Sequence, residues 1–534
     1  MGTQMELDRR VQDEFLFVDD EGSSRMGKWW KQGCAQPRRI VKLGSVPRGV
    51  SAQPVDGRSK VRMWQISAVL ALMLTGTGLF LFRDRIFGPP EHVVLSLRGS
   101  TSIGDELVPV LAEAFLRDEF GATETGQRIK GHDAGGHPIL HVWGKVPGRP
   151  GLQVIEIYAT GSGAAFKCLS TENGPDYCDI GMSSRPISDS DVPVSSRNLD
   201  DRPTEHVVAL DAIAVIVNPG NRVSQLSIPQ LRSIYSGQIR NWKEVGGDDA
   251  PIELYGRDSN SGTFEMFTEK VMRTDPTAAA KMEELPRDRQ LGDSNQIVDA
   301  VMRSHNAIGY ASSPLVKNAK ALSISDGSAR AFLPTELAIV TEDYPICRRL
   351  LLYDRDTPGS MVNAFMRYAT YKPGQAIVDQ TPFVELTPKV FHVEPPKGAP
   401  LAYQKLATGY SRIGLSFHFS VAKAEAAGNT GSQLDNLAKI NVLRLRIFLS
   451  QHGGTGDDIL LIGFADQVED RARNRRLAHQ RAEGVATDLR AIGVIVPAGN
   501  IKDFGANLPV ASNETPEGRN KNRRVEAWVR NGLL

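Results

Sequence analysis

PIELYGRDSNSGTFEMF, Pro251–Phe267, opens as a short strand-like run, closes as the start of a helix, and places Arg257, Ser259, Ser261, Gly262 and Thr263 between the two. Strand, donor-rich loop and helix N-terminus follow one another as in an α/β domain, where ligands collect at the carboxyl ends of strands. A first helical turn leaves N–H groups unpaired, and the macrodipole there favours negative charge. Arg257 adds a planar fork suited to a tetrahedral oxyanion. The stretch reads as an anion-facing junction.

Working outward, the same junction recurs. LRGSTSIGDELV follows HVVLSL, YATGSGAAFKCL follows LQVIEI, and DIGMSSRPIS follows Cys178. The runs HVVLSL, LQVIEIYA, HVVALDAIAVIV, AIGYASS and AFLPTELAIV alternate with amphipathic stretches such as DELVPVLAEAFLRDEF and IPQLRSIYSGQI. That alternation predicts an α/β domain with a largely parallel sheet. Taken singly, each cluster is an ordinary N-cap or turn. Four of them converging make a donor-lined anion pocket.

The chain has 534 residues, 41% hydrophobic and 23% charged, enough for several domains. Its formal net charge of +1 gives no chain-wide basic field, so nucleic acid is not expected as a partner. Met63–Phe82 carries no charge over the length that crosses a bilayer as a helix. From Arg25 to Arg62 there are ten basic residues against one acidic, which puts the N-terminus in the cytoplasm and the chain after Arg83 in the periplasm. A single-pass inner-membrane protein is expected. A cleaved signal peptide competes, but FRDRIFGPPE follows the apolar run instead of a small-x-small site. Residues 1–62 read as a disordered basic segment, and a misassigned start codon explains them equally well.

Cys168 and Cys178 flank LSTENGPDY, and an oxidising periplasm permits a disulfide there; two separate buried thiols are the alternative. No CxxC, HExxH or His/Cys cluster occurs, so no metal and no cofactor are expected. His92, His132, His137, His141, His206 and His305 fall in no nucleophile–base motif, and neither GxSxG nor a Walker loop is present. Binding is expected rather than catalysis.

GPPEH near residue 90 and the Pro-rich VEPPKGAPLAY divide the exported part into a domain at 91–392, a linker at 393–404 and a C-terminal domain at 405–534. In the last, LSFHF, DILLIGFAD and RRVEAWV read as strands, and QLDNLAKINVLRLRIFLSQ and NRRLAHQRAEGVATDLRAIG as helices. Ala478, Ala482, Val485 and Leu489 form the buried face of the second helix, with Arg475, Arg476, Glu483 and Arg490 outward. A small α+β sandwich is expected.

The order GSTS, GSG, DIGMSSRP, ALDAIAVIVNPGN, LSIPQLRSIYSGQIRNWKEVGG, GRDSNSGT and AIGYASSP, spread over about Val93 to Val393, is similar to the phosphate-binding proteins of bacterial phosphate ABC importers. The resemblance implies a two-lobed periplasmic-binding-protein fold that closes over one phosphate. Its contacts would be Thr101, Ser102, Ser162, Ser183, Ser184, Arg257, Ser261, Gly262 and Thr263. Members of that family place an aspartate where Ser184 stands. That carboxylate accepts the proton of phosphate and rejects unprotonated sulfate, so selectivity is open here. Asp258 is a candidate replacement acceptor, with an ion pair to Arg257 as its alternative; Arg185 is either an added cation or solvated.

Over roughly Ser411 to Arg530 the chain resembles the OmpA-like peptidoglycan-binding domain, through GFAD, through Asn474, Leu477, Arg481, Ala482 and Val485, and through PVASNETPEGRNKNRRVE. The resemblance implies that Asp466 and Arg481 hold the amine and carboxylate ends of a stem-peptide diaminopimelate, with Asn474, Arg519, Asn522 and Arg523 around the groove. Phe464 and Ala465 depart from the family's His-Thr, and DQVED lacks the expected glycine. Together these features predict a membrane-anchored periplasmic protein that captures inorganic phosphate or a related oxyanion and attaches non-covalently to peptidoglycan. An ABC importer is an open partner. The rival is a structural tether whose binding domain has lost its ligand.

Overall fold

The computed structural model describes residues 89–533 apart from 189–190, 192–203, 260, 274–279, 281, 283–285, 287–288, 314–315, 317, 356–357 and 421–432. Residues 1–62 and the expected span Met63–Phe82 lie outside the described residues. Among the described residues no helix is long and apolar enough to cross a membrane.

The central sheet has ten strands and is mixed, where the sequence pattern predicts a largely parallel one. Glu91–Gly99 lies parallel between Leu152–Ala159 and Ile180–Ser183, and Glu253–Leu254 is parallel to Ala307–Ser312. The other pairings are antiparallel. The excess has two sources. A hairpin, Glu124–His132 with Pro138–Lys145, extends one edge, and two long strands, Glu205–Val217 and Cys347–Tyr353, run oppositely through the middle.

Those two strands join the lobes. Glu205–Val217 pairs with Cys347–Tyr353 over its first half and with Ala307–Ser312 over its second. In the first lobe, Leu95, Leu97, Ile103, Phe115 and Phe365 pack with Leu350 and Leu352. In the second, Tyr235, Trp242, Phe267 and Tyr310 pack with Val215, Val217 and Cys347. Cys168 and Cys178 form a disulfide, which fastens the helix Ser162–Ser170 to the approach of the strand Ile180–Ser183.

In the C-terminal module, Tyr410–Ser420, Arg524–Arg530, Ile459–Gly463 and Ile501–Asp503 form one sheet, with Val390–Phe391 at its edge. Period-two alternation sorts its side chains. Ile459, Leu461, Val525, Ala527 and Val529 pack under the helices Asn436–Gln451 and Arg471–Ala491 through Val442, Leu445, Val485 and Leu489. Leu460, Ile462, Phe464 and Trp528 face Tyr403 of the short helix Leu401–Gly409. Arg412, Arg524 and Glu526 lie in the same strands, and all three are buried.

The described residues fall in one compact unit, in which charged side chains of the C-terminal sheet meet the first domain. Arg412 Nη1 donates to Asp343 Oδ2 at 2.9 Å, and both residues are at most 2% exposed. Arg349 bonds Glu342 at 2.6 Å and Asp435 at 2.9 Å. Asn436 donates to Glu205, Arg444 to the carbonyl of Thr370, and the Ser512 amide to Asp326. Burial alone would raise the carboxyls of Asp343 and Glu342. The guanidiniums of Arg412 and Arg349 outweigh it, holding Asp343 below its usual value and Glu342 down to about 2.

A carboxyl depressed in the folded state contributes stability above its ordinary value, 3.8 or 4.5 here, and loses it as pH falls toward the folded value. Arg412→Ala leaves Asp343 buried without its hydrogen-bonded cation and costs about 3–5 kcal/mol at neutral pH. Urea unfolding checks this: the gap to the parent protein narrows as pH falls below about 4 and Asp343 protonates. A gap below about 1 kcal/mol at pH 7 would mark the pair as inert.

Candidate functional site

Three loops of the first lobe meet at adjacent strand ends. The carbonyl of Gly99 accepts the amides of Thr160 and Gly161, each at 2.8 Å, and the Ser100 amide donates to the Met182 carbonyl at 2.8 Å. Gly99 has φ of 143°, and a Cβ there would lie 2.0 Å from the Met182 oxygen, so this close approach of backbones requires glycine. The loops beginning at Ser100, Thr160 and Ser183 are thereby held side by side. Ser162 and Ser184 share a hydrogen bond between hydroxyls at 3.0 Å, and the Ser184 amide donates to Ser162 Oγ at 3.1 Å.

The second lobe supplies Arg257 and the helix Gly262–Phe267. Arg257 Nη2 donates to the Gly292 carbonyl at 2.8 Å, and Nη1 reaches Ser294 Oγ at 3.3 Å and Thr263 Oγ1 at 3.4 Å. Its Nε is buried without a hydrogen-bond partner among the described residues.

A residue outside the sequence-based set joins the lobes. Arg348 Nη2 donates to Ser102 Oγ at 2.8 Å and to the Gly262 carbonyl at 3.1 Å, while Nε donates to Asp211 Oδ2 at 3.0 Å. Ser102 and Gly262 are so close that a Cβ on Gly262 would lie 2.0 Å from Ser102 Oγ. Glu106 stands in the same field. Burial raises its carboxyl, Asp211 adds to the rise, and Arg257 and Arg348 oppose it.

Of the expected anion contacts, the structure joins Ser102 to Gly262, Arg257 to Thr263 and Ser162 to Ser184. Others are spent locally. Ser183 Oγ donates to the Arg185 carbonyl at 2.6 Å, and Ser261 Oγ caps its helix by accepting the Phe264 amide at 3.0 Å. Thr101 is half-buried at the first helical turn. Arg185 is a half-buried, ion-paired cation: Asp191 takes both its Nη groups, at 2.6 and 3.0 Å. Arg348 was hidden in CRRLLLY, whose two arginines interrupt a buried strand. That interruption was the one available signal.

In the C-terminal module Asp466 bonds Arg523 Nη1 at 2.6 Å rather than Arg481. Arg481 donates to the Phe464 carbonyl at 3.1 Å and lies over the Phe419 ring. Burial pulls its guanidinium down to about 10, opposed by the charge of Asp466. Asn474 donates to the Glu469 carbonyl and lines a groove of about 920 Å³ with Arg475, His479, Lys502 and Asp503. Asn522 ties down the Val510 and Ala511 amides, and Arg519 the carbonyls of Asn513 and Glu514. These two shape the loop around Asp466.

Residues 144–372 match the PBP superfamily domain, and residues 429–523 the OmpA family. A phosphate-binding protein PstS of Staphylococcus epidermidis is 29% identical over 233 residues, covering 41% of this chain and 66% of that protein. The chain carries a PstS-like binding-protein domain followed by an OmpA domain. A phosphate-binding protein PstS of Pseudomonas aeruginosa is 27% identical over 254 residues, 44% of this chain and 75% of the relative. The matched stretch thus spans about two thirds to three quarters of these relatives. An ABC-type phosphate transport receptor from Vibrio cholerae is 22% identical, with 55% of this chain and 98% of the other covered at a TM-score of 0.40.

The contact between Ser102 and Gly262 gives the PstS-like domain a local test. Gly262→Ala forces the Ser102 hydroxyl aside and breaks its bond to Arg348, costing about 1–3 kcal/mol of overpacking. Thermal unfolding of the anion-free protein reads the loss; an unchanged midpoint would mean that the loops do not touch.

Proposed function

We propose that the PstS-like domain captures inorganic phosphate, or a related tetrahedral oxyanion, where its two lobes meet, and that the OmpA domain attaches the chain non-covalently to a peptidoglycan stem peptide. The observation that carries the first half is the convergence of Ser102, Gly262, Thr263 and Arg257 on one place, with hydroxyl donors and a guanidinium drawn from both lobes. A dianion taken out of water needs such compensation at every oxygen. The names of the PstS relatives support the choice of ligand.

In this reading Met63–Phe82 is an inner-membrane anchor with the N-terminus in the cytoplasm, and both domains face the periplasm. The chain binds without catalysing. It stands between membrane and wall, within reach of an ABC importer or independent of one.

Calorimetric titration of the full chain with phosphate and with sulfate tests capture. Phosphate should bind, and Arg257→Ala should weaken it by about 2–4 kcal/mol, roughly 30-fold to 1,000-fold. No heat with either anion would favour a tether whose binding domain has lost its ligand.

Wall attachment is tested on purified sacculi. A stem-peptide amine needs the Asp466 carboxylate released from Arg523, and the carboxylate end needs a guanidinium fork. Retention should therefore drop about tenfold or more in both Asp466→Ala and Arg481→Ala. Full retention in both would remove peptidoglycan as the ligand.

A further inference from the structure

We propose that Arg348 is a second cationic ligand of the captured oxyanion, contacting it directly, and that Asp211 is the positioning residue that aims it. This rests on phosphate capture between the lobes and assigns part of that recognition to two residues from the strands that join them.

Position comes first. Arg348 and Asp211 are register partners in an antiparallel pair, so their side chains lie on one face of the sheet, where the Glu205–Val217 strand passes from one lobe to the other. One nitrogen, Arg348 Nη2, bonds Ser102 of the first lobe and Gly262 of the second, the loops from which oxyanion contacts are expected.

Satisfaction comes second. Arg348 is 5% exposed, and its Nη1 is buried with no hydrogen-bond partner among the described residues. A buried guanidinium N–H without an acceptor is costly; Arg412 and Arg524 carry such orphans too, and what sets Arg348 apart is that its Nη group also bridges Ser102 of one lobe and Gly262 of the other. Arg257, whose charge acts on the same Glu106, has a second orphan in its Nε. An oxyanion is an acceptor that satisfies both, through Arg348 Nη1 and Arg257 Nε. A purely structural Arg348 would need only the Asp211, Ser102 and Gly262 bonds it already makes.

Charge comes third. Arg257 and Arg348 offset a dianion, while Asp211 and Glu106 keep the site from attracting any anion indiscriminately. Asp211 takes the Arg348 Nε, which fixes the guanidinium plane; Ser102 and Gly262 take Nη2, and Nη1 is left for the ligand.

The test is calorimetric titration of the full chain with phosphate over a range of salt, for the parent protein, Arg257→Ala, Asp211→Asn, Arg348→Lys, Arg348→Met and Arg348→Met with Asp211→Asn. The double variant removes the carboxylate that Arg348→Met would strand. Its melting temperature without anion shows that it folds, and Arg348→Lys keeps the charge if neither Met variant does. A direct ligand predicts a Kd at least tenfold weaker in the folded double variant, a shallower salt dependence, and partial recovery in Arg348→Lys. If the double variant melts like the parent and binds within twofold of it while Arg257→Ala fails to bind, capture stands and Arg348 is only a structural link. If Arg348→Lys is the sole folded variant at that position, Asp211→Asn decides: binding within twofold of the parent in both variants excludes a direct contact aimed by Asp211. If the parent binds neither phosphate nor sulfate, capture itself falls and this assignment with it.

Discussion

The strand Cys347–Tyr353 holds two unlike tasks apart by the pleat alone. Successive side chains of a strand point to opposite faces. Arg348 therefore enters the junction of the two lobes, where it meets Asp211, Ser102 and Gly262, and Arg349 enters the junction of the two domains, where it meets Glu342 and Asp435. A one-residue slip of this strand would exchange the two cations and leave both junctions with the wrong partners. The register with Glu205–Val217 sets both the junction of the two lobes and the seat of the OmpA domain.

That seat is built from charge rather than from apolar area. Arg412, Asp343, Glu526 and Arg524 are almost fully buried, and so large a group of ions seldom stabilises more than well-packed hydrophobic residues would. What it supplies is a unique fit. Each carboxylate must find its guanidinium, so the OmpA domain has one low-energy position on the PstS-like domain, and a displaced arrangement strands several charges at once. Contacts to Thr370 and Glu205 on one side and to Asp326 and Asp343 on the other spread that seat across both lobes. Glu342, with a positive φ of 58°, holds its backbone in a region that side-chain-bearing residues seldom adopt, at the point where Arg349 is gripped.

Legibility in the sequence followed the distance over which each feature is encoded. Donor-rich strand-to-helix junctions are local, and GSTS, GSG and SGT were visible as such. So was the helix Arg471–Ala491, whose apolar stripe at Ala478, Ala482, Val485 and Leu489 is buried while Arg475, Arg476, Glu483 and Arg490 are exposed. The mixed sheet was not visible, since strand direction is fixed by connections and not by the pattern within a strand. Arg348 and Asp211 lie 137 residues apart and become a pair only through register. The alternation in RRVEAWV marked Arg524, Glu526 and Trp528 as one face, yet nothing local tells whether water or another domain covers it. Ser183 and Ser261 have the right chemistry for an anion, but their hydroxyls are taken by a turn and a helix cap.

Ser184 bears on how an anion would be chosen. A carboxylate there would be an obligate acceptor, whereas a hydroxyl both donates and accepts. Paired with Ser162 at 3.0 Å, it can turn its proton toward its neighbour or toward a ligand oxygen at no cost in charge. The hydroxyl pair is therefore indifferent to whether the ligand carries a proton. Among the described residues, Asp105, Glu106 and Asp211 are carboxylates in the same field. Asp211 is committed to Arg348, whereas Glu106 has a carboxyl raised by burial and by the charge of Asp211. A group so raised switches between accepting and donating a hydrogen bond closer to neutrality than an ordinary glutamate does.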